Sequence, residues 1–197
     1  PTCTGRTITV TNTLVNDTLV WSDFASRPTL SNFGNLGNVA FFNGIAELTP
    51  AINGQNGKLV FPISPNAGVF TANFNMRIWD GGGADGMSFN YGVIDNIDGG
   101  DGGMCNTMGL SICMPTWSGN GGQRLIIKYK GVQIGSTISS VAIRNSNYIP
   151  VTVTVNPSFK LSVTINGTVY LNNYDLFANT TYASDTKSNW QFAFGAR

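Results

Sequence analysis

The chain has 197 residues, which suits one large domain and hardly two. Gly, Asn, Thr and Ser account for 82 of them, while charged residues make up only 11%, against about 25% in typical globular proteins. The sequence contains no histidine, which excludes Ser-His-Asp and Cys-His catalysis and His-ligated zinc or haem. A net charge of +1 without a basic cluster argues against nucleic-acid binding, and no apolar run is long enough to insert into a membrane.

Apolar and polar residues alternate with period two along most of the chain, which predicts β-strands. The pattern is clearest at 69–79, where it predicts a strand of about 36 Å at about 3.3 Å per residue. Asn166-Gly167 lies between two alternating runs and predicts a two-residue hairpin turn. In chain order, the predicted strands are 6–11, 39–42, 45–49, 58–62, 69–79, 86–92, 110–117, 124–130, 151–155, 159–165, 168–171 and 189–195.

The number and spacing of these strands predict the fold class. Eleven to thirteen strands with one apolar face each, separated by Gly- and Asn-rich turns, indicate an all-β protein with two antiparallel sheets packed as a β-sandwich or jelly roll. Almost no helix is expected, because no window has an apolar stripe at 3.6-residue spacing. Residues 1–38 are predicted to be an N-terminal arm or edge segment and residues 39–197 the sandwich, within one domain overall.

The odd number of cysteines leaves the disulfide pattern open. Cys105 and Cys113 are close in sequence and could bridge a hairpin end, in which case Cys3 is free or bonds another chain. Three buried free thiols are the alternative. Sequons at Asn16, Asn166 and Asn179 are candidates for N-glycosylation, although this composition produces such triplets by chance. The Asn- and Thr-rich, Lys-poor composition is common in secreted and cell-surface proteins, so an extracellular location is expected.

Several segments, taken in order, point to a known family. They are LTPAINGQNGKLVF (48–61), FTANFNMRIWDGGGADGMSFNYG (70–92), GLSICMPTW (109–117), RLIIKYKGVQIGS (124–136) and WQFAFGAR (190–197). Together they resemble the concanavalin A-like superfamily of L-type (legume-type) lectins and glucanases, and most of all the lectin-like modules of extracellular proteins. The resemblance covers about residues 39–197 and implies a concanavalin A-like jelly roll. The long strand followed by G-G-G-A-D-G is its most specific part.

The resemblance also implies a sugar site. In these lectins the Asp of an Ala-Asp-Gly motif accepts hydrogen bonds from sugar hydroxyls, and here that residue is Asp85. A carboxylate can accept bonds from two adjacent hydroxyls, and Gly86 would let the sugar approach the backbone. Tyr91 and Trp117 are candidate rings for stacking on the sugar, with Trp79 as a further one. The alternative is that Asp85 is a turn residue bonded to its own backbone.

The metal ligands of these lectins are not matched. Aligning Thr116-Trp117 with their pattern places Cys113 where the lectins have a metal-binding Glu and Pro115 where they have an Asp. Together with the lack of histidine, the resemblance then implies that the paired transition-metal and calcium site is lost. That loss weakens the prediction of a sugar site at Asp85, because in the lectins calcium orients the sugar-binding loop.

A different calcium site is suggested by the segment DNIDGGD. It places Asp95, Asp98 and Asp101 three residues apart, and calcium binds clustered carboxylate and carbonyl oxygens. The spacing is not that of an EF-hand, and a solvated acidic loop is the alternative. Calcium is therefore a possible cofactor, and no other is expected.

Three functions follow from these observations. The first is a non-catalytic carbohydrate-binding or adhesion module whose partners are glycans or glycoconjugates. The second is a structural subunit of an extracellular assembly or filament, in which copies associate through strand donation or the N-terminal arm. The third is a glycanase, which is disfavoured because such enzymes need two carboxylates and Glu47 is the only Glu.

Overall fold

The computed structural model describes residues 2–3, 8–12, 17–22, 35–37, 39–64, 67–79, 81, 85–94, 105 and 108–197. For 2–3, 12, 17–22, 35–37, 108 and 120 it describes the backbone alone. The strands are β1 (Thr2–Cys3), β2 (Ile8–Asn12), β3 (Asp17–Ser22), β4 (Asn35–Gly37), β5 (Ala40–Phe42), β6 (Ile45–Glu47), β7 (Gly57–Ile63), β8 (Phe70–Met76), β9 (Gly86–Val93), β10 (Met108–Pro115), β11 (Arg124–Tyr129), β12 (Val132–Gln133), β13 (Ile138–Ser139), β14 (Ile149–Val155), β15 (Lys160–Ile165), β16 (Thr168–Asp175) and β17 (Gln191–Ala196). Among the described residues only α1 (Leu176–Asn179) and a 3-10 turn (Ser118–Asn120) are helical, and none of these helices is long and apolar enough to cross a membrane.

The strands form two large sheets and a small one. The front sheet has the order β12-β11-β10-β9-β17-β7-β4, with β13 also paired to β11, and the back sheet has the order β16-β15-β14-β8-β2-β3. Strands β1, β6 and β5 make the small sheet. Neighbouring strands in these orders are antiparallel. The predicted all-β sandwich with almost no helix is confirmed.

The alternation seen in the sequence places the core between the two large sheets. In β8 every second side chain is buried, and Phe74 lies with its ring centroid 4.9 Å from that of Phe194 in β17. Phe70 packs in the same way on Phe192, at 5.1 Å. Phe89 of β9 contacts all four of these rings. Aromatic pairs of this kind stabilise a core beyond the area that they bury.

Strand β8 is shorter than the prediction of 69–79. The ladder with β14 ends at Met76, and Ile78 forms an isolated parallel bridge to Arg144 instead. The chain therefore leaves the back sheet before Trp79, which places the start of the glycine-rich loop at one end of the sandwich. This end, which also holds the start of β9, is called the loop end below.

Part of the predicted N-terminal segment belongs to the back sheet. Strand β2 pairs with β8, and Ile8 and Val10 are buried in the core, while β3 forms the edge. The division at residue 38 stays a prediction. The predicted hairpin at Asn166-Gly167 is confirmed, because β15 and β16 pair across it and both turn residues have positive φ, 49° and 77°.

Candidate functional site

Asp85 and Gly86 lie at the loop end, where β9 begins between β17 and β10. The N–H of Asp85 donates to the carbonyl of Arg197 (2.7 Å), and its own carbonyl accepts from the N–H of Thr116 (2.9 Å). Gly86 and Arg197 exchange backbone bonds of 3.3 and 3.2 Å. The Asp-Gly pair is thus held on both sides by neighbouring strands. It is not a turn bonded only to itself.

Gly86 cannot be replaced without moving the backbone. Its φ is +129°, a region that side chains with a Cβ rarely adopt. A Cβ built there would lie 2.7 Å from Cα of Pro115 and even closer to the carbonyl oxygen of Met114. The glycine therefore allows β9 and β10 to approach each other beside Asp85. The expectation that Gly86 lets a sugar approach the backbone is wrong, because Gly86 is buried and its N–H and carbonyl are both bonded to Arg197.

The carboxylate of Asp85 is ion-paired. Its Oδ2 lies 3.3 Å from Nε of Arg197, and the Asp85 side chain is 21% exposed. One residue, Arg197, therefore binds both the backbone and the side chain of Asp85. Sequence reasoning missed this role, because only the sheet order, which places β17 beside β9, brings the two residues together.

Trp117 presents a partly exposed ring at the loop end. It is 44% exposed and directly follows Thr116, whose N–H donates to the carbonyl of Asp85. A Cβ at Gly119 would lie 2.7 Å from Cζ2 of Trp117, so the indole occupies the space that this glycine leaves. The carbonyl of Trp117 accepts a bond of 2.9 Å from the N–H of Gly122. The indole thus packs against the turn at Gly119, and part of the ring stays exposed.

The expectation for Tyr91 is wrong. Its side chain is 0% exposed, its hydroxyl donates to the carbonyl of Ser64 (3.0 Å), and its ring stacks on Phe192 at 4.4 Å. Burial raises the pKa of the Tyr91 hydroxyl above its usual value. Tyr91 occupies a core position in the alternation of β9, so no sugar can reach it. Trp79, in contrast, is 48% exposed and lies at the start of the loop that leads to Asp85.

The structure bonds Cys105 to Cys113, one of the arrangements that the sequence left open, with the two Cα atoms 5.6 Å apart. Cys113 lies on the outer side of the front sheet, opposite Ser88 of β9. Both cysteines, Ser88 and Asn90 are buried, and Asn90 Nδ2 donates to Ser88 Oγ (2.9 Å). This part of the outer side is therefore buried and is not available to a ligand. Cys3 lies in β1 and only its backbone is described.

The metal ligands of the lectins do not fit here. Cys113 is bonded to Cys105, and the side chain of Pro115 has no donor atom for a metal, so neither position can act as a ligand. The described residues contain no cluster of three or more His, Cys, Asp and Glu. Asp95, Asp98 and Asp101, the other predicted calcium ligands, lie outside the described residues.

A second polar cluster lies away from the loop end. The carboxylate of Asp185 accepts from the hydroxyl of Tyr129 and is 2.6 Å from Nζ of Lys130. Burial acts to raise the pKa of Asp185, but the bonds from Lys130 and Tyr129 outweigh it and hold the pKa below the usual 3.8. Nζ of Lys187 donates to the carbonyls of Tyr182 and Asp185, and burial lowers its pKa. These groups are bonded to one another and join β11 to the segment before β17.

Two of the predicted glycosylation sites are accessible. Asn166, in the β15–β16 turn, and Asn179, at the end of α1, are both exposed. Asn16 lies outside the described residues. Accessibility permits glycosylation and does not establish it.

No protein-family model matches the chain, and no curated protein matches it by sequence. Solved structures do match. The carbohydrate recognition domain of Emp47p is similar with a TM-score of 0.60 and 15% identity, over 99% of this chain and 87% of that one. The exoplasmic/lumenal domain of VIP36 in its Ca²⁺/Man2-bound form has a TM-score of 0.62 and 12% identity, over 88% of this chain and 78% of that one. The potassium-bound carbohydrate recognition domain of Emp46p has a TM-score of 0.56 and 15% identity, over 84% of this chain and 81% of that one.

These likenesses extend over most of each chain, and their low identity limits them to the fold. The chain therefore has the concanavalin A-like fold of the L-type lectin carbohydrate recognition domains.

Proposed function

We propose that the chain is a non-catalytic carbohydrate-binding module that binds sugars at the loop end through Asp85 and Trp117, with Gly86 as a buried backbone support of Asp85. The observation that carries the proposal is the exposed ring of Trp117, which directly follows the residue that binds the backbone of Asp85, whose carboxylate is partly exposed. A carboxylate accepts bonds from sugar hydroxyls, and an indole face covers the apolar C–H face of a sugar. Mannose glycans are the first class to test, because solved structures of VIP36 contain Man, Man2 and Man3GlcNAc.

The described carboxylates support binding over hydrolysis. A glycanase needs one carboxyl group as acid and a second as base or nucleophile, within about 5–9.5 Å of each other. Glu47, the only Glu, lies in β6 of the small sheet, outside the front sheet that carries Asp85. Asp85 is bonded to a guanidinium, which suits a hydrogen-bond acceptor. We therefore assign the loop end a binding role.

An extracellular or other oxidising location is part of the proposal. The Cys105–Cys113 disulfide is of the kind that persists outside the cytosol. The VIP36 structures are exoplasmic/lumenal domains, which is consistent with that setting. A role in adhesion would follow if the glycan recognised is on a cell surface. Expression with and without a secretion signal, followed by thiol labelling, tests whether the disulfide requires an oxidising compartment.

Calcium remains a proposed ligand of the acidic segment that holds Asp95, Asp98 and Asp101. Carboxylates and carbonyls in that segment are suitable donors. Calorimetric titration with calcium chloride tests this part directly. Heat of binding in the wild type that is lost in Asp98→Ala supports it, and the absence of heat in the wild type rejects it.

The main experiment is a glycan-array screen of the whole chain with two matched variants. Asp85→Asn removes the charge of the ion-paired carboxylate at the loop end. Asp175→Asn is the control, because it removes the charge of another ion-paired carboxylate, at the start of α1, whose Oδ2 lies 3.4 Å from Nζ of Lys160. We expect glycan binding by the wild type and Asp175→Asn and none by Asp85→Asn. An array without any bound glycan, with the protein folded, would reject the proposal.

The alternative function is a structural subunit of an extracellular assembly. The described N-terminal strand β2 pairs with β8 of its own sheet, so the arm from which strand donation was expected is at least partly folded back. Self-association through other edges is tested by light scattering over a range of concentrations. A concentration-dependent rise in mass together with an empty glycan array would favour the assembly role.

A further inference from the structure

The pairing of Asp85 with Arg197 carries an inference that rests on the proposed function and deepens it. Arg197 contacts Asp85 in two ways: its carbonyl accepts the N–H of Asp85 (2.7 Å), and its Nε lies 3.3 Å from Oδ2. The opposite side of Asp85 is bonded to Thr116. The carboxylate is therefore placed by a cation that belongs to the chain itself.

The described residues of the same region offer no cluster of side chains that would hold the metal that the fold relatives suggest. The side chain of Cys113 is committed to a disulfide, and Pro115 next to the strand end offers no oxygen beyond its backbone carbonyl. A divalent cation on the Asp85 carboxylate would also meet the like charge of Arg197 at short range, which is repulsive. A metal ion bound to Oδ2 of Asp85 would thus have to displace the guanidinium of Arg197.

We propose that Arg197 is a positioning residue that holds the Asp85 carboxylate ready for sugar hydroxyls in place of a metal ion. The sugar site at the loop end then works without a divalent cation. The Arg197 side chain is 47% exposed, so the ion pair is open to solvent on one side and leaves room for a ligand.

The test combines nuclear magnetic resonance with the glycan array. Calcium chloride is titrated into the ¹⁵N-labelled whole chain, and the amide signals of Asp85, Gly86 and Thr116 are followed. We expect them to stay unmoved, and we expect array binding to be equal in calcium and in chelator. Arg197→Met should weaken glycan binding about tenfold or more, as the loss of a hydrogen bond to a charged group does. Arg197→Lys, which keeps the charge, should restore most of it.

Each result has a distinct meaning. Array binding that disappears in chelator, or calcium-dependent shifts at those three amides, would overturn the inference while leaving the carbohydrate site intact. Equal binding by Arg197→Met and wild type would overturn it too. An empty array for the wild type would reject the proposed function. In that case the Arg197 Nε–H signal decides: its displacement in Asp85→Asn, with no calcium shifts, supports the positioning role, and its constancy rejects it.

Discussion

Replacement of Trp117 by Ala should weaken glycan binding about tenfold and leave the fold intact. Taking about 250 Å² for a whole indole side chain, its 44% exposure leaves about 110 Å² accessible. A sugar stacked on one face would cover about half of this, which at about 25 cal/mol per Å² amounts to about 1.4 kcal/mol. That free energy corresponds to about a factor of ten in Kd.

The assay is a titration with the strongest ligand from the glycan array, followed by calorimetry or by intrinsic fluorescence. Phe177→Ala is the matched control. Phe177 is 68% exposed, more than Trp117, but lies in α1, whose Leu176 N–H is bonded to the carbonyl of Phe159 away from the loop end. The control should bind like the wild type. A Kd for Trp117→Ala within twofold of the wild type, or an equal loss in Phe177→Ala, would refute the stacking argument.

Three further predictions concern stability. Gly86→Ala should lower the free energy of unfolding in urea by about 3 kcal/mol or more. Gly167→Ala, which is also at positive φ but has open space around it, should lower it by only about 1–2 kcal/mol, and equal losses would contradict the backbone clash at Gly86. The pKa of Asp185 is lower in the folded than in the unfolded chain, so its ionised carboxylate stabilises the fold above the usual pKa of 3.8, and this stabilisation is lost as the pH falls through the folded-state pKa. The melting temperature of Asp185→Asn should therefore vary less between pH 6 and pH 2.5 than that of the wild type. Removal of the disulfide by serine at Cys105 and Cys113 should cost about 2.5 kcal/mol, as expected for so short a loop, and a reductant that leaves the wild-type urea midpoint unchanged would argue against the bond.

The sandwich could be predicted from the sequence because many of its strands alternate apolar and polar residues. The run that includes Phe70 and Phe74 places alternate side chains in the core. Asn166-Gly167 gives the position of a hairpin turn, although the ladder beyond it shifts register at bulges. The limits of this reasoning are visible in β8. Alternation continues to Trp79, but the ladder ends at Met76, where the pairing partner β14 begins. The end of a strand depends on its neighbour, which alternation does not reveal.

The site was predictable only in part, since a motif gives residue types and not their surroundings. The Ala-Asp-Gly motif led to Asp85, which is partly exposed at a strand end, and to Gly86, which is buried there. Tyr91 shares their segment, yet its place in the alternation puts it in the core. The partner of Asp85 is Arg197, more than a hundred positions away in sequence, and their contact exists because β17 inserts beside β9. Such a long-range pairing leaves no local signal.

The place of β17 in the front sheet has a consequence for synthesis on the ribosome. Strand β17 separates β7 from β9, so these two cannot join one sheet until residues 191–196 have left the ribosomal tunnel. Until then the nascent chain exposes a split sheet with two open edges, a state prone to misassociation and in need of chaperones. Arg197 follows immediately, so the carboxylate of Asp85 gains its partner in the same late step. Nascent chains stalled before residue 191 should accordingly be cleaved by proteases that spare the released protein.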